Sequence, residues 1–406
     1  VEARWETLRT LPSLVASAAQ ARCPFWSVPV CGQTGERNDP ELYLRWLQFA
    51  ALCPVLRFNL GMPGERDLCE RRPWMLGDSV LGPARQILQF RPSLIPFWHA
   101  LAASAAKHPG LPIVRSMFVE WPSHQEAYHC PAQFMVGPGL LAAPFLGPAA
   151  PALGLSHTAV WFPPGHTWHE VFGTSVRRGG MWESLYGSLS DVPLYACDGT
   201  IVPMYAPDVF AHGPETLART IDDTENLPMD ILVFPPNSGA SSFELFGGEE
   251  PSSTARVVCE RTAGHMVTVT VSHTASMSME RRYTLFIRGV VSPKDVSIAL
   301  KCGEEKLGEI PSQFSPDTAT LIVGPVLLPA GESSFVLKFN QETSLDLDAL
   351  RADSVKQTLH RLFVNCTGSS SVRSQCEQEL LTILEKTRGH DPTELGAFVT
   401  SALKTP

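Results

Sequence analysis

The chain has 406 residues, more than one ordinary core accommodates and enough for two to four domains. Apolar residues make up 44% and charged residues 18%, a globular balance rather than a disordered one. A formal net charge of −9 without a long Lys/Arg run argues against a nucleic-acid partner, and no apolar run reaches the ~18 residues that a membrane span requires.

The opening residues, Val1-Glu2-Ala3-Arg4-Trp5, are neither an initiator methionine nor a signal peptide and read as a chain that begins in mid-domain. Trp5, Leu8, Leu11, Leu14 and Val15 recur at helical spacing and predict a helix over 5–22. Residues 25–32 form a short apolar run ending in glycine, the pattern of a buried strand. Asp39-Pro40-Glu41 then opens a helix with a capping carboxylate, a first-turn proline and an acid near the positive end of the dipole. That helix feeds a second apolar strand at 53–58, followed by a mixed-charge loop at 61–72 and one long helix from about 82 to 106. Alternation of strand and helix predicts a parallel sheet, of which two units are present.

From residue 111 the texture changes to short strand-like runs punctuated by Gly and Pro, as in "QFMVGPGLLAAPFL" and "HTAVWFPPGHTWHEVF", which predicts an antiparallel sandwich or barrel. A further β region over about 230–339 holds runs such as "MVTVTVSH" and "SSFVLKFN", most of them alternating apolar with polar. Residues 344–406 return to helical spacing, broken by Gly-Ser-Ser-Ser at 368–371.

The ten cysteines show no CxxC and no paired Cys/His spacing, and there is no HExxH, so no structural metal is expected. His99, His108, His124 and His129 also lack ligand spacing and read as surface or satisfied-core residues. A glycosylation sequon at Asn365-Cys366-Thr367, together with the cysteine count, tilts the reading toward the secretory pathway: ER, lysosome or extracellular. Trp161, Trp168 and Trp182 are either a platform for stacking sugar rings or the core of the first sandwich, and core packing is the reading taken. No GxSxG nucleophile motif is present.

Laid in order, several stretches resemble the C-terminal half of glycoside hydrolase family 31, the α-glucosidase and α-galactosidase group. They are Trp5-Glu6-Thr7-Leu8, the Glu41-Leu42-Tyr43-Leu44-Arg45-Trp46 helix, the strand ending on Arg57, and Leu94-Ile95-Pro96-Phe97-Trp98. The runs at 112–122, 133–145, 162–173 and 192–204 continue the likeness collinearly. The resemblance implies the last units of a (β/α)8 barrel at 1–110, a proximal antiparallel β-sandwich at 111–205 and a distal one at 206–342. A helical tail at 343–406 matches nothing in the family.

Retaining glycoside hydrolysis requires two carboxyls flanking the scissile bond. The family carries its nucleophile in a Trp-x-Asp-Met-type motif, which does not occur in these 406 residues. The acid/base aspartate lies five residues before the Trp-Glu helix start, a position just upstream of Val1. The resemblance therefore implies no catalytic residue within this chain, no cofactor, and a partner in the missing N-terminal half of the barrel. Glu2 lies near the acid/base position but reads as a solvated terminal residue.

At the rim, the resemblance implies substrate-binding roles for Arg57, Asn59 and Gln33. Arg57 either holds the pocket's charged network or is a structural arginine paired with a barrel carboxylate. Asn59 stands where glucosidases carry a sugar-binding histidine, Gln33 where an aromatic lies near the sugar, and Pro29 where an aspartate is usual. Ala132, Cys197-Asp198-Gly199 and "ELFGGEE" depart from the pattern outside the pocket. Two readings follow: an O-glycosyl hydrolase of α-linked glycosides, or a non-catalytic descendant that serves as a carbohydrate- or protein-binding scaffold.

Overall fold

The computed structural model describes residues 2–26, 29–31, 34–35, 39–58, 73–107, 112–151, 154–206, 227–246, 253–262, 265–291, 293–301 and 310–341. Gln33, Asn59, Asn365, His108 and the expected helical tail lie outside them.

The first part combines short parallel strands with helices. Strand β1 (Glu2–Ala3) leads into helix α1 (Trp5–Gln20) and pairs in parallel with β2 (Thr34–Gly35). Helix α2 (Pro40–Ala51) starts where the sequence places it, with Asp39 Oδ1 accepting a hydrogen bond from the Leu42 N–H at 2.9 Å. Among the described residues of 25–32 and 53–58, the pairing is one parallel bridge between Val30 and Phe58, in which the Val30 N–H donates to the Arg57 carbonyl at 3.1 Å. Local chemistry limits the pairing: Pro29 has no N–H, and Cys31 has a φ of 54° that turns the chain out of an extended path.

The single helix expected over 82–106 is two, α3 (Asp78–Ser93) and α4 (Ile95–Lys107). Pro96 cannot donate to the Pro92 carbonyl and its ring would clash there, so the helix ends at Leu94 and restarts. All ten residues of α2 from Leu42 to Ala51 are buried. Leu42, Trp46, Leu47 and Phe49 join a core that continues into the β region through Phe134, Val136, Leu140 and Leu194.

The run "LPIVRSMFVEWP" at 111–122, part of the strand-like texture expected from residue 111, holds the short strand β3 (Val114–Arg115) followed by a helical turn, α5 (Met117–Glu120). Strands β4 (Phe134–Val136) and β5 (Leu140–Ala142) form a hairpin. Next come β6 (Ser156–Phe162), β7 (Thr167–Glu170), β8 (Val176–Arg178), β9 (Met181–Gly187) and β10 (Leu194–Cys197). A six-stranded sheet runs β3-β4-β5-β10-β7-β8, with all its pairings antiparallel, and β6-β9 forms a separate ribbon.

Alternation explains why these strands read as continuous apolar runs. Phe134, Val136, Leu140, Ala142, Leu194 and Ala196 face the barrel helices, while Met135, Leu141, Tyr195 and Cys197 face a second core under β6-β9. Trp161 and Trp168 lie in that second core, whereas Trp182 is exposed on the ribbon.

Strand β11 (Ile201–Tyr205) leaves this sheet and pairs with β12 (Met229–Val233). Then come β13 (Gly239–Phe246), β14 (Ser253–Arg261), β15 (Met266–His273), β16 (Arg281–Arg288), β17 (Pro293–Lys301), β18 (Ser312–Ser315), β19 (Thr320–Leu328) and β20 (Ser333–Gln341). They form two five-stranded sheets, β11-β12-β16-β19-β18 and β13-β14-β15-β20-β17. Both send alternate residues into one core: Val267, Val269 and Val271 from one sheet, Tyr283, Leu285 and Ile287 from the other. One pairing departs from the antiparallel expectation, because β12 and β16 run parallel. The intervening chain crosses through the opposite sheet, which is long enough for a parallel return.

Candidate active-site rim and its anchoring helix

The parallel pairings end at Ala3, Gly35 and Phe58, and helices α1 and α2 start within a few residues of the first two ends. One carboxylate ties two of these starts together. Asp39 Oδ2 accepts a hydrogen bond from the Trp5 indole N–H at 3.0 Å while Oδ1 caps α2. The sequence reveals the cap. It gives no sign of the indole contact, because the partners are 34 positions apart.

Among the three rim residues expected to bind substrate, only Arg57 lies in the described part. Its side chain is exposed and makes no ion pair among the described residues, while its carbonyl takes the Val30 N–H. The described structure therefore supplies no carboxylate partner for a purely structural arginine. Glu2, on β1, forms an exposed ion pair with Arg4 at 2.8 Å, a contact of small energetic weight. Tyr43, one turn into α2, is buried with no hydrogen-bond partner for its hydroxyl among the described residues, and burial, with Cys31 nearby, pushes its pKa well up.

Below the rim, α2 is locked to the β region. Arg45 is fully buried. Its Nη1 donates to Gln48 Oε1 at 3.1 Å and to the Asp191 carbonyl at 3.2 Å, and its Nη2 to Ser156 Oγ and the Ser188 carbonyl, both at 2.9 Å. The guanidinium carbon also stands 4.9 Å from the Phe145 ring centroid. Burial lowers the Arg45 pKa to about 10, with Glu41 and Asp191 opposing the shift, so the group stays cationic at neutral pH. Glu41 Oε1 accepts from the Ala149 N–H at 2.7 Å, and Gln48 Nε2 donates to the Leu189 carbonyl at 2.7 Å.

Further out, Asp198 is the joint between the six-stranded sheet and the chain that follows it. Its Oδ1 accepts from the Thr167 N–H at 2.9 Å and lies 3.1 Å from His166 Nδ1, and its Oδ2 accepts from the Asn237 N–H at 3.3 Å. Burial works against its charge, but these hydrogen bonds outweigh it and hold the carboxyl below its usual range. His169 is buried beside it, with Gly289 so close that a Cβ there would stand 2.6 Å from His169 Cε1. Among the described residues no group of three or more His, Cys, Asp or Glu could hold a metal ion.

The described arrangement is thus a set of short parallel strands and helices docked through a buried arginine onto a β-rich region. Residues 1–101 match the glycosyl hydrolases family 31 TIM-barrel domain and residues 110–202 match the glycosyl hydrolase family 31 C-terminal domain. Residues 1–202 thus match two consecutive domains of family 31. It is 26% identical to a probable glucan 1,3-alpha-glucosidase of Oryza sativa subsp. japonica over 60% of this chain and 24% of that protein. It is also 26% identical to neutral alpha-glucosidase AB of Mus musculus, over 79% of this chain and 33% of that protein. The chain thus spans about a quarter to a third of the length of these curated relatives. Its fold matches a Flavobacterium johnsoniae GH31 dextranase complexed with glucose, with a TM-score of 0.66 at 21% identity over 83% of this chain and 42% of that one.

Proposed function

We propose that this chain is the C-terminal portion of an O-glycosyl hydrolase that acts on α-linked glycosides in carbohydrate metabolism. The observation that carries the reading is the collinear match of two consecutive family 31 domains over residues 1–202, with relatives named as α-glucosidases. In this reading residues 1–110 complete a (β/α)8 barrel whose nucleophile and acid/base come from upstream sequence. Residues 111–205 and 206–342 are two β-sandwiches that buttress it, and 343–406 is a helical tail. Arg57, Asn59 and Gln33 are the rim residues that meet the sugar, and no cofactor takes part. Asn365 carries a glycan in the secretory pathway. Among the described residues no helix is long and apolar enough to cross a membrane.

The test is an assay on aryl α-glucosides and α-galactosides. The 406-residue chain by itself should give no turnover, and a longer protein that supplies both carboxylates should. Turnover by the 406-residue chain alone overturns the assignment of the catalytic pair.

A second reading, a non-catalytic scaffold, draws on the substitutions Pro29, Gln33 and Asn59 at one rim. Turnover and titration calorimetry of the longer protein with glucose and galactose together separate the two: the hydrolase binds a monosaccharide and turns over aryl α-glycosides, a carbohydrate-binding scaffold binds without turnover, and a protein-binding scaffold does neither.

A further inference from the structure

A cleft of about 320 Å³ opens between the C-terminal end of α2, the middle of α3 and the turn ahead of β10. It lies beside Ala51 and Leu52, from which the 53–58 segment sets out toward the rim. It is therefore at the opposite end of this βα unit from Arg57. Nothing in the reaction described above uses it.

Its lining combines rings with polar groups, three of which keep hydrogen-bonding capacity to spare among the described residues. Phe90 and Phe172 meet edge to face with centroids 4.8 Å apart, and Phe172 is 52% exposed. Glu170 Oε2 accepts from the Ser175 hydroxyl, while its Oε1 takes no hydrogen bond among the described residues. Neither the Gln86 amide nor the Ser190 hydroxyl has a hydrogen-bond partner among the described residues. The back wall is rigid, because Gln48 is held by Arg45 and the Leu189 carbonyl, and Asp191 Oδ2 accepts from both the N–H and the hydroxyl of Ser188.

The ligand chemistry follows from this inventory. Two carboxylates and no basic residue among the described lining disfavour an anion. An aliphatic ligand would strand the amide, the hydroxyl and the carboxylate without water. A neutral ring with an apolar face and a rim of hydroxyls suits all of them: its face covers an exposed aromatic ring and its hydroxyls exchange hydrogen bonds with Glu170, Gln86 and Ser190. The volume falls within the range of small-molecule sites.

We infer that this cleft is a secondary binding site for glucosyl units of an α-glucan, holding polymer against the outside of the barrel while the rim handles its end. The choice of glucosyl units rests on the α-glycoside reading above. The cleft's preference for a neutral polyol does not.

The test is affinity electrophoresis of the full-length protein in gels that contain soluble dextran or starch, with an iminosugar saturating the reaction pocket. The wild-type protein should be retarded. Phe172→Ala should weaken the apparent affinity about tenfold and Gln86→Ala about threefold, with thermal midpoints recorded beside each. Gln86 is exposed and hydrogen-bonds to nothing described, so its variant reports on binding even if loss of the Phe172 ring disturbs the fold. No retardation of the wild type, or equal retardation of wild type and both variants, overturns the site. A full-length protein that fails to hydrolyse α-glycosides yet is retarded through Phe172 refutes the hydrolase reading and leaves the cleft standing.

Discussion

Helix α2 joins two regions whose sequences are constrained in opposite ways. On its inner side Arg45, Gln48 and Glu41 hold the six-stranded sheet region through hydrogen bonds to Ser156, Ala149 and the 188–191 turn. At its upper end the rim offers Arg57 to solvent with no ion pair among the described residues. The first region is dictated by folding: a buried cation without its acceptors is strongly destabilising. At the second, the one described residue of the proposed substrate-binding set, Arg57, is exposed, so folding places a weaker demand on its side chain. In the proposed reading the departures Pro29, Gln33 and Asn59 fall at that rim, whereas the helix motif with its buried Arg45 keeps the family pattern.

The largest effect should come from breaking the anchor. Arg45→Ala removes four hydrogen bonds from buried or half-buried acceptors and leaves a hole beside Phe145. A loss of about 4 kcal/mol is expected in urea unfolding. Arg45→Lys keeps the charge but not the planar fork and should lose roughly half of that. A loss below about 1 kcal/mol for Arg45→Ala would show that docking rests on apolar burial alone and would erase the contrast.

Acid should reveal the next effect, at the joint between the β sheets. Burial pushes the His169 pKa down to about 4, with Arg288 and Arg261 acting in the same direction and Asp198 against it. The unfolded chain binds this proton near pH 6.5, so between pH 6.5 and 4 the unfolded state holds more protons than the folded one. Stability therefore rises with pH across that window and is lost as pH falls through it, by about 3 kcal/mol at the acid end. Asp198, held below its usual range, adds a loss at still lower pH, when it protonates. Unfolding midpoints of wild type and His169→Gln from pH 7 to 4 check this: the variant should show a flatter slope. Equal slopes would mean that other groups carry the acid response.

Legibility in the sequence followed physical locality. The Asp39 cap, the α2 start and the alternating strands of the distal core depend on neighbours within a few positions, and the pattern displays them. The short strands β4, β5 and β10 were also readable, because burial on both faces leaves a run of apolar residues. Nonlocal facts were hidden. The break between α3 and α4 required weighing Pro92 and Pro96 against a strong helical period, and the parallel pairing of β12 with β16 joins segments about fifty residues apart. At the candidate site, the resemblance singles out Arg57 for a role that awaits test, whereas Asp39 holding Trp5 and Arg45 gripping the 188–191 turn emerge only in the folded structure.

The smallest effect on folding should come from the rim, and it sharpens the comparison most. Arg57 is exposed, so Arg57→Ala should change unfolding free energy by less than about 0.5 kcal/mol. In a catalytically active full-length protein the same change should lower kcat/KM roughly 5- to 150-fold, the equivalent of about 1–3 kcal/mol for a lost hydrogen bond to a sugar or to the pocket's charged network. Asn59→Ala should fall in the same range, and Asn59→His tests whether a glucosidase-like contact can be installed. Stability and activity thus dissociate at the rim, whereas at Arg45 they fall together. If Arg57→Ala and Asn59→Ala both leave kinetics and stability untouched, neither residue meets substrate, and the polar end of this apolar segment serves only solvation. If Arg57→Ala destabilises the protein by more than about 1 kcal/mol, Arg57 is paired within the fold after all, and rim and anchor are constrained by the same physics.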